Sequence, residues 1–474
     1  MNAVPPAFPQ LAERFAAQRQ AFAADPNPPV AARHERLDRL LELIDDNEEA
    51  LVAAVDADFG GRAAQETRIA ELFVTRSAIL YARRRLAHWM RTRRVPTQLA
   101  FLPGRNRLAP QPLGVVGIVS PWNYPIQLTL CPLVAALAAG DRALLKPSEL
   151  TPRTSALLAE LAAKYFDPDL VSVVVGDAET GKAFVALPFD HLLFTGSTAV
   201  GRQVAAAAAA NLTPITLELG GKSPAIFDPS CDLKQASARV AAGKFFNAGQ
   251  TCIAPDYLLV PRGQADVAAS AIAAATARLY PTLAANPDYT AIISERHRSR
   301  LVGLVAEARE AGARVIEINP ADESFAGSRK LAPAIVVGAP QTSRLMQEEI
   351  FGPLLPIVEY ERIDDAIAYV NRGERPVALY WFGRDAARRE RVLRETIAGG
   401  VTVNDCLLHF VQEGQPCGGV GASGVGAYHG EWGFRAFSKL KPVFHQSDWS
   451  GFPLLRPPYG KMTDWVLGAL KRLP

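Results

Sequence analysis

What most constrains the fold is a series of short, wholly apolar segments, each followed by a helical pattern. Val115-Val116-Gly117-Ile118-Val119 and Ala143-Leu144-Leu145 contain no charge, and residues 132–139 between them suit a buried helix. A helix opened by Thr151-Pro152 comes next, then strands over 171–175 and 191–194 and a helix over 199–211. A strand with one wet face alternates apolar and polar residues, whereas a strand covered on both faces does not. The pattern therefore predicts an α/β chain with a mainly parallel sheet between helices. After Glu218 a second α/β region begins, with strands near 225–227, 257–260, 315–318, 356–359 and 379–382. Its helices are expected over 265–279, 295–311 and 363–372.

Around this body the chain is helical at first and loop-rich at its end. Leu37, Leu40, Leu41 and Ile44 recur at helical spacing, and Asn47 is placed to cap the next helix. A long helix is expected over 64–94, with Arg83, Arg84, Arg85, Arg91, Arg93 and Arg94 on a solvated face. Pro103, Gly104 and Pro110 then mark a hairpin over 98–112 that leaves the body. Glycine-rich loops follow Val401, and a short amphipathic helix over 463–473 closes the chain. It carries Trp465, Val466, Leu467 and Leu470 on one side and Lys471 and Arg472 at its end.

Composition excludes several function classes. The 474 residues are enough for about three domains. A net charge of +3 offers no basis for nucleic-acid binding. No charge occurs between Arg107 and Asp141, but the prolines at 110, 112, 121, 125 and 132 argue against a membrane span there. The helix over 463–473 is too short to cross a bilayer, so no stable insertion is expected. Five cysteines without a C-x-x-C pair make neither a disulfide framework nor a zinc site. Met1 to Pro6 lacks the charged and apolar parts of a secretion signal, so a reducing, cytoplasmic compartment is expected. No H-E-x-x-H or G-x-S-x-G occurs, and no catalytic metal is expected.

Several short stretches carry chemistry. Asn247-Ala248-Gly249-Gln250-Thr251-Cys252 sets a thiol just after a turn, between a helical segment and a strand. Such a thiol can face a cleft, though it needs a base or a lowered pKa to attack. Cys131, Cys231, Cys406 and Cys417 read as small packed hydrophobes. Glu218, between leucines, has the apolar setting that raises a carboxyl towards neutrality and suits a general base. Phe194-Thr195-Gly196-Ser197-Thr198-Ala199-Val200-Gly201 joins a strand to a helix, where backbone N–H groups can meet a phosphate. A plain tight turn explains those glycines equally well, and they are not a G-x-G-x-x-G fingerprint. Lys146, Ser148 and Glu149 follow the end of a strand, where parallel sheets bind ligands. Asn123 lies in Pro121-Trp122-Asn123-Tyr124-Pro125, and Glu349 and Phe351 lie in Glu348-Glu349-Ile350-Phe351-Gly352-Pro353.

Taken together, these motifs resemble the NAD(P)-dependent aldehyde dehydrogenases, in order and spacing from residue 114 to about 440. Asn404-Asp405 and the run Gly418 to Gly430 resemble the class 3 branch, and within it the bacterial coniferyl aldehyde dehydrogenases. The resemblance implies Cys252 as nucleophile, Glu218 as base and Asn123 as oxyanion donor, with Tyr124 on the wall of the substrate tunnel. It also implies that Gly196, Ser197 and Gly201 contact a pyrophosphate and that Lys146 and Glu149, around Ser148, contact an adenine ribose. Glu349 and Phe351 would hold the nicotinamide end. A carboxylate at Glu149 favours NAD over NADP, with NADP still possible. The expected reaction is oxidation of an aldehyde, aromatic or medium- to long-chain aliphatic, through a thiohemiacetal and a thioester. The alternatives are acyl transfer to coenzyme A, disfavoured by Glu218, and a non-catalytic protein that kept the fold. The implied layout has a Rossmann-like cofactor domain (1–97 and 113–218), a catalytic domain (219–400) and a bridging β arm (98–112 and 437–447). Residues 401–436 return to the cofactor domain, and a tail covers 448–474. The arm's unpaired edges lead to the expectation of a homodimer. One departure from the family is Cys417, where relatives often have Phe.

Overall fold

The computed structural model describes residues 8–471. Met1 to Pro6, and Arg472 with the rest of the chain's end, lie outside the described residues. Two sheets dominate. The first has six strands in the order Gly424–Val425, Ile215–Glu218, His191–Thr195, Val115–Val119, Arg142–Lys146 and Val171–Val173. All its pairings are parallel except that of Gly424–Val425 with Ile215–Glu218. The second has seven strands in the order Arg314–Glu317, Ala334–Val337, Leu354–Tyr360, Tyr257–Pro261, Pro224–Phe227, Ala378–Phe382 and Gly400–Val403. Only its first pair is antiparallel. The wholly apolar strands are buried on both faces, which is why they show no alternation.

The helix Gln127–Ala139 is buried along its whole length, and it starts earlier than the expected residue 132 because Pro132 sits inside it. A helix surrounded by protein needs no polar stripe, so its sequence does not announce its start.

The expected long helix over 64–94 is broken up. It consists of Ala64–Thr67, a π-helical turn Arg68–Phe73 and Val74–Trp89. Arg93 and Arg94 belong instead to a strand, Arg93–Val95. Val95 precedes Pro96, and the residue before a proline is pushed to extended backbone. That strand pairs with Arg105–Pro112, which pairs with Ser438–His445, making a three-stranded antiparallel arm. Asn47 does occupy the position before the helix Glu48–Phe59, but its side chain donates back to the Leu43 carbonyl (2.8 Å) instead of capping forward. In the loop-rich end, a short helix Gly430–Ala436 and the tail helix Lys461–Leu470 stand out. Among the described residues no helix is long and apolar enough to cross a membrane.

Candidate active site

Strand ends of the first sheet lead into one cavity of about 1170 Å³. Pro121-Trp122-Asn123 follow the strand Val115–Val119, Gly196 to Ala199 follow His191–Thr195, and Glu218 ends its own strand. Cys252, Glu349 and Phe351 come from the second α/β region and line the same cavity.

The segment that presents Cys252 is backbone-strained. The helix Leu233–Phe245 ends, and Asn247, Ala248 and Gly249 then take φ values of 51°, 50° and 73°. Left-handed backbone costs a non-glycine residue roughly 1–2 kcal/mol, so the surroundings must hold it. They do so with a buried network. The Asn247 N–H donates to Glu66 (2.9 Å), whose other oxygen accepts from the Thr290 hydroxyl (2.6 Å). Gln250 donates to the carbonyls of Asn247 (3.1 Å) and Ala291 (3.0 Å) and accepts from the Ile293 N–H (3.0 Å). Tyr380 donates to the Ile253 carbonyl on the far side of the cysteine. Any Cβ at Gly249 would strike the Gly352 carbonyl, which ties this loop to the segment of Glu349 and Phe351.

Asn123 is buried against that loop. Its side-chain amide donates to the Gln250 carbonyl at 3.2 Å, and since an amide carries two N–H bonds, one remains. Its own carbonyl accepts from Arg62 (2.8 Å) and from the Asn247 amide (3.2 Å). Arg62 is itself buried, with carboxylates of Glu66 at 3.9 Å and Glu71 at 3.7 Å. Glu71 accepts from the Ile126 N–H (2.7 Å), and burial pushes its carboxyl up to about 7.

Glu218 has one carboxylate oxygen buried with no hydrogen-bond partner among the described residues. Burial holds its carboxyl well above the ordinary range, the setting of a group able to take up a proton. Burial, with Glu349 and then Glu218 nearby, pushes the Cys252 thiol up to about 12. The thiol is half-buried and therefore protonated at neutral pH, so its attack requires a base. Glu349 is pushed up to about 8, again mainly by burial. Gly220 makes room for it, since a Cβ there would strike the Glu349 carboxylate. Lys222 clamps the segment before Glu349, bonding Asp256 and the carbonyls of Leu345 (3.0 Å) and Glu348 (2.8 Å).

A model of the aldehyde dehydrogenase family matches residues 9–443. The chain belongs to the aldehyde dehydrogenase family. It is 46% identical over 474 residues to a coniferyl aldehyde dehydrogenase of Pseudomonas sp. strain HR199, covering 99% of this chain and 98% of that protein. It is 41% identical over 425 residues to the aldehyde dehydrogenase family 3 member A2 of Mus musculus, covering 90% and 86%. Among solved structures, the substrate-bound state of Staphylococcus aureus AldH superposes with a TM-score of 0.91 at 35% identity, covering 97% of this chain and 99% of that one.

Not every residue that the sequence singles out in this dehydrogenase reaches the cavity. Asn123, Gly196, Ser197, Glu218, Cys252, Glu349 and Phe351 line it. Tyr124, expected on the tunnel wall, is 7% exposed and lies behind it, its hydroxyl on Thr251 (2.6 Å) and its ring under Arg62 (4.9 Å). Trp122 takes the wall position instead. Gly201 is also outside the lining and is buried in the helix Thr198–Ala209, where a Cβ would strike the Leu219 side chain. Lys146 and Ser148 are buried at their strand end and Glu149 is exposed beside them, outside the cavity's lining. Cys131 and Cys406 are packed hydrophobes as expected, but Cys417 lines the cavity. Arg62, Glu66 and Glu71 were not singled out by the sequence, because nothing in a single chain distinguishes a buried charge at helical spacing from a solvated one.

Proposed function

We propose that this chain oxidises an aromatic aldehyde to its carboxylic acid, with Cys252 as nucleophile, Glu218 as base and Asn123 as oxyanion donor. The observation that carries the reading is that these three open onto one cavity, which is also lined by a helix N-terminus and Glu349. The residues present fit a dinucleotide. Gly196 to Ala199 line the cavity at the start of the helix Thr198–Ala209, and the Thr195 hydroxyl is buried without a partner among the described residues. There, N–H groups and the helix dipole favour phosphate, with Lys146, Ser148 and Glu149 two strands further along the sheet for a ribose and Glu349 with Phe351 for the nicotinamide end. The chemistry that NAD(P) supplies when bound is acceptance of the hydride.

Cys252 Sγ adds to the carbonyl carbon as its proton passes to a base. The Asn123 amide and the Cys252 backbone N–H hold the resulting oxyanion, and donors so placed contribute about 2.7–4 kcal/mol each. Once the thioester stands on Cys252, Glu218 takes a proton from water, which attacks and releases the acid. Covalent catalysis here splits one difficult step into two easier ones. The relatives named for coniferyl aldehyde, together with Trp122, Phe351 and Phe410 on the cavity wall, support an aromatic substrate over a medium- or long-chain aliphatic one. We further read the protein as cytoplasmic.

Formation of NAD(P)H with aromatic and aliphatic aldehydes tests this. Cys252→Ala should abolish it, and an unchanged rate would end the proposal. Glu218→Gln should keep a burst of about one turnover and lose the steady state, because the step assigned to Glu218 is activation of the water that releases the acid. Supplying coenzyme A should yield no acyl-thioester product.

A further inference from the structure

A buried cation stands against the proposed oxyanion donor, and the mechanism gives it no part. Arg62 follows the helix Glu48–Phe59, which ends at Gly60 and Gly61 with φ of 66° and 125°. Glycine adopts two such values in succession without the strain that a side chain would bring. The turn is pinned, with the Arg62 N–H on Asp56 (2.7 Å) and the Gly61 carbonyl accepting from the Ala291 N–H (2.8 Å). It delivers the Arg62 side chain into the interior, where it is fully buried.

A buried guanidinium destabilises a fold unless its charge and its N–H groups find partners. Here they do so only in part. Glu66 and Glu71 balance the charge from 3.9 and 3.7 Å, beyond hydrogen-bond reach. Nε and Nη2 have no hydrogen-bond partner among the described residues. The rings of Phe59 and Tyr124 lie 4.8 and 4.9 Å from the guanidinium carbon. The hydrogen bond that the side chain does make runs from Nη1 to the backbone carbonyl of Asn123 (2.8 Å). A charged donor makes such a bond about twice as strong as a neutral one. That carbonyl is a junction, because the Asn247 amide also reaches it (3.2 Å), from the loop that carries Cys252. The Asn123 amide answers with a bond to the Gln250 carbonyl of the same loop (3.2 Å), which leaves one N–H. Where that N–H points is set by where the Asn123 backbone is held.

We infer that Arg62 is a positioning residue: by holding the Asn123 carbonyl it aims the remaining Asn123 N–H at the oxyanion that forms on the aldehyde. This rests on the reading of Asn123 as oxyanion donor and adds the group that sets its aim. Arg62 is outside the cavity's lining, so it acts through Asn123 and not on the substrate. Oxyanion donors work from about 2.7–3.1 Å, so a small shift of this backbone weakens the transition state while the fold stays intact.

The test is a double-mutant cycle read as kcat/KM for cinnamaldehyde, on the full chain with NAD. Arg62→Lys keeps a positive charge beside Glu66 and Glu71, but its ammonium lacks the planar fork of the guanidinium. It should lower kcat/KM about tenfold. Asn123→Ala removes the amide, leaves the carbonyl that Arg62 holds, and should lower kcat/KM about a hundredfold. In that background Arg62→Lys should lower it by less than about twofold more, because no amide is left to aim. Equal losses in the two backgrounds would overturn the inference, since a purely structural bond to the carbonyl matters with or without the amide. No loss from Arg62→Lys alone would overturn it too. In both cases the role of Asn123 stands. An Asn123→Ala enzyme as efficient as wild type would instead remove the donor, and the inference with it. If Arg62→Lys does not fold, Arg62→Met with Glu71→Gln replaces it in the cycle, since it takes away the buried cation and a carboxylate together. The same comparison then decides.

Discussion

A thiol set beside two carboxyl groups is in an arrangement that works against its own ionisation. The Cys252 thiol is pushed up to about 12 by burial first, then by Glu349 and Glu218. Glu349 in turn is pushed up to about 8. Below pH 7 Glu349 is therefore mostly neutral and exerts little on the sulfur. Above pH 8 it is ionised and helps keep the thiol protonated. Replacing it by Gln removes that charge only where it exists. Glu349→Gln should speed alkylation of Cys252 by iodoacetamide at pH 9, by about three- to tenfold for a shift of half to one pKa unit, and should leave the rate at pH 6 unchanged. The rate is followed by mass analysis of the peptide carrying Cys252, since Cys231 and Cys417 are also half-buried. Superimposable pH profiles for the two proteins would mean that the sulfur does not feel Glu349.

The loop that carries Cys252 shows how a strained element is kept in shape. Glu66 satisfies the Asn247 N–H and the Thr290 hydroxyl and stands beside the buried Arg62. Glu66→Ala removes all three interactions and leaves the guanidinium less well paired, a loss of about 3–5 kcal/mol for breaking a buried ion pair. Denaturant unfolding should show it, and turnover should fall in step because Cys252 loses its fixed position. A small stability change with full activity would mean that the network is not what holds the loop. Gly249→Ala should act on the same loop, at a cost of about 1–2 kcal/mol for the left-handed backbone alone, with the collision against Gly352 added. The contrast between what could and could not be read follows from this. The run Asn247 to Cys252, Glu218 and Asn123 were legible because their chemistry is carried by residue types in a fixed local order. Arg62, Glu66 and Glu71 were not, since their burial is decided by the chain segments that come to cover them. Tyr124 was legible as near the site but not as behind it: Trp122 lines the cavity and Tyr124 does not, and no local pattern says which side chain faces inward.

At the level of the whole molecule, the apolar strands made both large sheets readable, whereas the arm was only partly so, because its first strand, Arg93–Val95, reads as the end of a helix. The strand Ser438–His445 lies at one border of the arm sheet, with one side paired to Arg105–Pro112 and the other side unpaired among the described residues. Which groups face outward can be worked out. Pro110 and Pro112, which have no N–H, stand opposite Leu440 and Ser438, and Pro442 stands opposite Leu108. The Asn106 N–H points the other way, to Thr97 (3.1 Å). Cross-strand bonds therefore fall on Lys439, Lys441, Val443 and His445, and the N–H groups of Leu440 and Phe444 look outward. An uncovered edge of this kind pairs readily with another chain. We expect the dehydrogenase to be a homodimer joined through this arm. Proline at both Leu440 and Phe444 removes only outward donors, and proline is tolerated at an edge. Sedimentation equilibrium should find a dimer of the 51.1 kDa chain for wild type and a folded monomer for the double variant. A wild-type monomer would refute the expectation, and a double variant that remained a dimer would move the contact away from this edge.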